Sequence, residues 1–507
     1  MSRQLLVLSA LAPIVVAQTF MPSNPAALAA RQWREHRERS ILGEFVQLLA
    51  IPNIASDRAN IRRNAETIAK MIEKRGIAAK LVSVPGGNPV VFGEMKAPGA
   101  TRTIVLYAHY DGQPLDPKEW ATPPFEPTLR EKQLDANGKV IRLPPPGIRF
   151  NPEWRLYARS AGDDKLPIVA MVTAIDAMRD AGLRAKSNIK FAFEGEEEAG
   201  SANLDKILAM NKELFSGDLW LICDSPIHPS RRQQVVFGAP GAIQFDITVY
   251  GPRNELHGGH YGNWAPNPAL MLARLLASIK DDEGKVQIEH FYDGLDPLTD
   301  IEKRAVEEVP DIDAELMREF WLGSTVGAPI KLAGLITLPV LNIRGMASAR
   351  VGAQASSVVP ATATASISVY PMKGMDHRRI QDAVVAHVRK MGFFVTAEEP
   401  SAQVRMANAK VARVAVRPGA YNGTRTPMDL PISREVIRAV ESARGSVVKL
   451  PAMGGALPLE KIERTLGTRT IVIPTANHDD NQHAANENVR IQNLWDAIEL
   501  MAALLTM

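Results

Sequence analysis

Apolar residues recur along this chain in two rhythms. From about Pro25 to Leu49, ending before Ile51-Pro52, and again over roughly Arg62 to Lys74, the spacing is helical. Short strands follow near Leu81 and Val91. The run Thr103 to Ala108, TIVLYA, is apolar on both faces, as a buried parallel strand should be. Residues 112–155 are rich in proline and charge and read as a long surface excursion. A helix follows Pro167, with Ile168, Met171, Val172, Ile175 and Met178 on one side. Asn188 to Phe193 and Leu219 to Cys223 are two more strands of the buried type. Strands alternating with helices predict an α/β fold around a largely parallel sheet.

The pattern changes near Gly241. Up to about Gly419 it predicts strand Ile243 to Val249, helix Pro268 to Lys280, strands Val340 to Arg344 and Ala363 to Tyr370, helix Arg378 to Met391 and strand Phe393 to Ala397. That is an α+β unit of its own. The α/β pattern resumes with a helix over Ile432 to Ala443 and the strand Thr470 to Ile473. The simplest description is one domain, residues 25–240 and 420–507, interrupted by a second over 241–419.

Composition narrows the class. With 507 residues, 46% hydrophobic and 23% charged, the chain reads as an ordinary globular protein large enough for two domains. A net charge of +3, with no aromatic-interleaved basic patch, gives nucleic acid no support as a partner. Residues 1–17 place Arg3 before the run LLVLSALAPIVVA, which reads as a signal peptide and predicts a secreted or periplasmic protein. That run is too short to span a bilayer comfortably, so no membrane association is expected of the mature form. Cys223 is the only cysteine, which rules out an intrachain disulfide.

The chemistry lies where the strands end. FEGEEEAGS, Phe193 to Ser201, follows a strand, and adjacent carboxylates there ionise reluctantly unless a positive charge is held beside them. In AHYDG, His109 and Asp111 follow TIVLYA; an i, i+2 pair on extended chain faces one way, so one can bind metal while the other orients it. SAGDDKLP puts Asp163 and Asp164 before a helix, where capping is a competing explanation. Asp224 ends the apolar strand LICDS. PTANHDDNQHAANE carries His478, Asp479, Asp480 and His483 after the last strand. Open α/β sheets build their sites at such carboxyl ends. Two histidines with three carboxylates exceed what one zinc needs and suit a bridged pair, with manganese or cobalt as other candidates. A spare glutamate beside two metals predicts a hydrolase.

These motifs, in this order, resemble the M20 family of dinuclear zinc metallopeptidases, in its carnosine dipeptidase and carboxypeptidase branch, from roughly Arg34 to the C-terminus. The resemblance implies a zinc-peptidase catalytic domain with an inserted lid and dimerisation domain, and two Zn2+ ions. It implies that His109 and Asp224 bind one metal, Glu198 and His483 the other, and that Asp163 bridges them. Asp111 would orient His109, and Glu197 would be the general base; His478 is not the matching histidine. NELHGGHYGNWAPNPA is similar to the lid segment whose histidine, here His257, reaches a partner's active site and stabilises the oxyanion. That implies a homodimer through the lids. MGGALP, Met453 to Pro458, matches the glycine-rich loop against the substrate, with Gly455 at its centre.

Two positions depart from the family pattern. Leu166 stands where glycine is usual after DDK, and Tyr370 stands where this branch usually has an arginine that clamps a carboxylate. Either Arg344, in NIRG, replaces it or the substrate lacks a free carboxylate. The expected activity is therefore cleavage of a small peptide. Hydrolysis of an N-acyl amino acid is the alternative, and a metal-binding protein without activity a more distant one.

Overall fold

The computed structural model describes residues 20–507, so the expected signal peptide lies outside the described residues. Helices Pro25–Glu35 and Glu38–Leu49 replace the single helix predicted from Pro25 to Leu49. The break turns Glu38 inward, where it pairs with Arg34 at 2.7 Å and accepts the Phe150 N–H. The next helix, Arg58–Glu73, leads into strands β1 (Ala79–Val82), β2 (Val90–Met95) and β3 (Thr103–His109). Helix Lys165–Asp180 precedes β4 (Asn188–Glu194), and β5 (Leu219–Ile222) and β6 (Gln234–Val236) follow.

The chain then enters a separate sheet of β7 (Ile243–Tyr250), β8 (Val340–Ala347), β9 (Thr362–Tyr370), β10 (Phe394–Thr396) and β11 (Val411–Val416), in the order β8-β9-β7-β11-β10. It returns to the first sheet with β12 (Val448–Leu450) and β13 (Thr470–Val472). The way in and the way out lie side by side: Ala242 bridges Tyr421, and residues 238–239 pair antiparallel with residues 424–425.

The eight-stranded sheet runs β1-β2-β4-β3-β5-β13-β6-β12. Its centre, β4-β3-β5-β13, is parallel throughout, but β1, β2 and β6 join antiparallel, so the sheet is mixed rather than largely parallel. One face is covered by helix Lys165–Asp180 and the C-terminal helix Ile491–Leu505, which is buried on nearly every side. Its polar residues, Gln492, Asn493, Asp496 and Glu499, all lie in its first nine positions, and from Leu500 to Leu505 it is apolar throughout.

In the smaller sheet, β7 alternates cleanly. Ile243, Phe245, Ile247 and Val249 point into a core with helices Pro268–Ala277 and His377–Lys390, while Gln244, Asp246 and Thr248 point the other way. Residues 281–339, for which the sequence predicts no element, carry three short helices: Asp300–Glu307, Asp313–Glu319 and Leu332–Leu335. They form a strap from the smaller unit back to the large one. Its anchor is buried: Glu302 Oε1 lies 2.9 Å from Arg425 Nε, with both side chains 4% exposed. Arg425 also donates to the Pro297 carbonyl at 2.9 Å.

Removing one partner of a buried ion pair leaves an uncompensated charge. Glu302→Ala should therefore destabilise the protein by about 3 kcal/mol in urea denaturation. An unchanged midpoint would show that the strap is not anchored there.

Candidate active site

Four adjacent parallel strands deliver the acidic and imidazole groups to one place. β3 ends at His109, β4 runs into the Glu197–Glu198 turn, β5 into Asp224, and β13 into the loop bearing His483. Asp163 and Asp164 come in from the side, at the start of helix Lys165–Asp180. Asp164 occupies the capping position, yet its side chain caps nothing. Its Oδ2 instead accepts the His109 N–H at 3.1 Å. Leu166, at the position that departs from the family pattern, is fully buried in that helix.

Asp163 is the shared element. Its Oδ1 lies 2.8 Å from His109 Nε2 and its Oδ2 3.1 Å from His483 Nε2. Around it the ligand-type atoms fall into two groups, His109 with Asp164 and Asp224, and Asp163 with Glu198 and His483, each within 4.8 Å. Asp224 Oδ2 is 3.6 Å from His109 Nε2, and Glu198 Oε2 is 3.4 Å from His483 Nε2.

Two further carboxylates hold this cluster in shape. Asp111 accepts the Glu197 and Glu198 N–H groups, one on each oxygen, both at 3.0 Å. The Asp111 carbonyl lies 3.2 Å from His109 Nδ1; a carbonyl can only accept, so the Nδ1 proton points to it and Nε2 faces the crevice. Glu487 takes the Gly162 and Asp163 N–H groups on one oxygen, at 2.9 and 3.0 Å, and the Ser160 N–H and Arg159 on the other. In the sequence Glu487 is one polar residue of a polar loop, and nothing there signals this task. Gln113 and Gln482, which donate to Glu198 and Asp163 at 2.6 Å, were equally hidden.

The electrostatics call for a cation. Burial, with Asp163 adding, pushes Glu198 up to about 9 and Asp224 up to about 6. Burial also lifts Glu197 well above the carboxylate range, with Asp224 and Glu198 contributing. Burial would raise Asp163 as well, but its bonds to His109 and His483 outweigh that and hold it low. Two buried oxygens here, Asp164 Oδ1 and Asp224 Oδ2, have no hydrogen-bond partner. Imidazole nitrogens beside unpartnered carboxylate oxygens are a donor set that fits zinc, manganese or cobalt.

The cluster floors a cavity of about 1860 Å³ between the two units, with Asp163, Glu197, Glu198, Asp224 and His483 on its surface. Gly455 lines one wall and Tyr370 the lid side; the strap closes a third. His478 lines the cavity too, but belongs to neither group of ligand atoms. Arg344 does not reach it. A bulge between Ile343 and Gly345 takes Arg344 out of register on the outermost strand, where residues 342–347 are all exposed. His257 is also absent from the lining. It is exposed and caps the short helix Gly258–Tyr261, its Nδ1 accepting the Gly259 and His260 N–H groups at 3.1 and 3.3 Å.

Residues 105–507 match the pattern of peptidase family M20/M25/M40, and the chain belongs to that family. It is thus a metallopeptidase, a hydrolase with catalytic and lid domains on a mixed α/β fold. It is 24% identical over 491 residues to the Cys-Gly metallodipeptidase DUG1 of Candida albicans, across 90% of this chain and 92% of that protein. To the human Beta-Ala-His dipeptidase it is 25% identical over 513 residues, across 95% and 93%. The solved structure of the dipeptidase Dug1p from Saccharomyces cerevisiae has the same fold, with a TM-score of 0.76 at 20% identity, covering 96% of this chain and 98% of that one.

These relatives correct one expectation. Kinship with yeast Cys-Gly metallodipeptidases along nearly their whole length overturns the reading of a secreted or periplasmic protein. That reading rested on one short apolar run behind a single arginine, a pattern with little information of its own.

Carboxylates raised by crowding bind protons in the folded state that the unfolded chain, with values near 4, has released. Stability of the metal-free protein should therefore fall as the pH rises from about 5 through Asp224 and then Glu198. Added Zn2+ should raise the melting temperature, and more at pH 9 than at pH 5. Equal melting with and without zinc at both pH values would contradict the reading of a cation site.

Proposed function

We propose that this protein is a dinuclear zinc dipeptidase. The observation that carries the reading is Asp163, which offers one oxygen to each of two histidine–carboxylate groups beside Glu197. The dipeptidase names of the relatives agree with it. Neither N-acyl amino acid hydrolysis nor a binding protein without activity draws support from them. Residues 241–419 would be the inserted lid, and 25–240 with 420–507 the catalytic domain.

His109, Asp224 and Asp163 would hold one Zn2+, and Glu198, His483 and Asp163 the other. When bound, zinc supplies Lewis acidity for the scissile carbonyl and lowers the pKa of water. Asp111 orients His109 and, through the N–H groups of residues 197 and 198, aims the two glutamates. Glu197 takes a proton from the attacking water onto its carboxylate and hands it to the leaving amine nitrogen; its raised proton affinity suits both transfers. Gly455, in the loop at Met453–Pro458, leaves room for the peptide backbone against that wall.

The partner in this reading is a second copy of the chain. His257 stands exposed on the lid with its ring 4.3 Å from that of His260, and would donate to the developing oxyanion in the neighbouring subunit's site.

Glu197→Ala should lower dipeptide turnover at least a hundredfold while metal content, by elemental analysis, stays at the wild-type level. Loss of metal would make Glu197 a ligand instead. Mixed after co-refolding, inactive Glu197→Ala and His257→Ala chains should recover activity, because one site of each hybrid dimer has both residues intact. A mixture that stays inactive would refute the shared site.

A further inference from the structure

The surfaces of the cavity differ in chemistry. The floor is a cluster of carboxylates and imidazoles, and the lid side presents Gln244, Tyr370 and Arg417. The strap presents apolar groups. Ile312, Leu316 and Phe320 line the cavity from helix Asp313–Glu319 and its two ends. The Leu316 N–H donates to the Ile312 carbonyl at 3.0 Å and the Phe320 N–H to the Leu316 carbonyl at 2.9 Å. Residues spaced by four in this way share one helix face. Leu332 and Ile336, again four apart, line the cavity from the next short helix, Leu332–Leu335, and the residue after it.

Polar contacts hold that apolar face in place. Lys331 pairs with Asp311 at 2.7 Å, and Asp313 accepts the Leu332 N–H at 3.0 Å, which ties the two helices to each other. Helices this short have little stability of their own, so such ties supply the order that their length does not. The face itself is left to the cavity: Phe320 is 60% exposed and Leu332 39%. Apolar surface kept in water costs free energy, which a ligand covering it recovers.

Contacts carry this wall down to the catalytic floor. A Cβ on Gly454 would lie 3.5 Å from Ile336 Cγ2, so Ile336 rests on the glycine-rich loop. In the same loop Met453 Sδ is 4.0 Å from Ser225 Oγ, and Ser225 directly follows Asp224. Ile336 and Met453 are both backed by the apolar cluster that contains Leu450 and Leu457. The apolar wall therefore begins one residue from a ligand-type carboxylate and runs up the strap. Glycine or alanine beside the scissile bond would leave it in water. Leucine, methionine or phenylalanine would cover it.

We propose that the strap is a side-chain subsite: Ile312, Leu316, Phe320, Leu332 and Ile336, with Met453, take a large apolar side chain from a residue flanking the scissile bond. This rests on the dipeptidase reading above and adds the substrate class, dipeptides with a large aliphatic or aromatic residue.

The test is steady-state kinetics of the zinc-loaded enzyme on two dipeptide series, Xaa-Gly and Gly-Xaa, with alanine, asparagine, leucine or phenylalanine at Xaa. Asparagine has nearly the shape of leucine without its apolar surface. In one series leucine and phenylalanine should exceed alanine and asparagine at least roughly tenfold in kcat/KM. Phe320→Ser, at an exposed position, should lower that ratio part of the way, and Phe320→Ser with Leu316→Asn should bring it to within about threefold. A ratio of two substrates on one preparation cancels any loss of folded enzyme. The proposal is overturned if neither series favours the apolar residues, or if the preference persists in both variants. A wild-type enzyme that cleaves no dipeptide of either series would instead remove the dipeptidase reading, and this inference with it.

Discussion

Carboxylates buried together repel one another, and the floor of this cavity is organised around keeping that repulsion in place. Asp163, Asp164, Glu197, Glu198 and Asp224 converge on two imidazoles at the ends of four parallel strands. Left alone such a cluster would take up protons or splay apart. It is held by Asp111 and Glu487, which accept the backbone N–H groups of the two loops that carry the ligand-type residues. Both are buried, so each hydrogen bond they accept is strengthened by the dry surroundings. A cation held among these groups would offset that repulsion.

The same economy of charge runs through the upper wall. The smaller sheet is amphipathic, with its apolar face on its own helices and its polar face on the cavity. On that polar face Asp246 accepts from Arg417 Nε and Nη2, covering one edge of the guanidinium. The strap fastens lid to sheet through Glu302 and Arg425, so cavity width depends on a buried ion pair as well as on apolar packing.

Much of this was legible in the sequence. The strands TIVLYA, Asn188 to Phe193 and Leu219 to Cys223 stand out because strands buried on both faces are apolar throughout, and the structure places β3, β4 and β5 there. The motifs at their ends lead to one cluster because strand ends on a parallel sheet must converge. What escaped depends on long-range pairing. The antiparallel joins of β2 and β6 carry no local mark, and the short helices of the strap have too few turns to show a period. Arg344 lies inside β8, and Arg417 directly follows β11. Arg417 lines the cavity, and Arg344, at a bulge in β8 that residue order does not announce, does not. The apolar run at residues 5–17 misled for the opposite reason, since a short apolar stretch is compatible with several fates.

The most direct test of the account is metal stoichiometry by elemental analysis after gel filtration, on wild type, His483→Ala and Asp163→Ala. If Asp163 is shared between two metals, wild type holds two per chain, His483→Ala keeps one, and Asp163→Ala keeps neither. A wild-type protein with a single metal, or an Asp163→Ala variant that retains two, would contradict it.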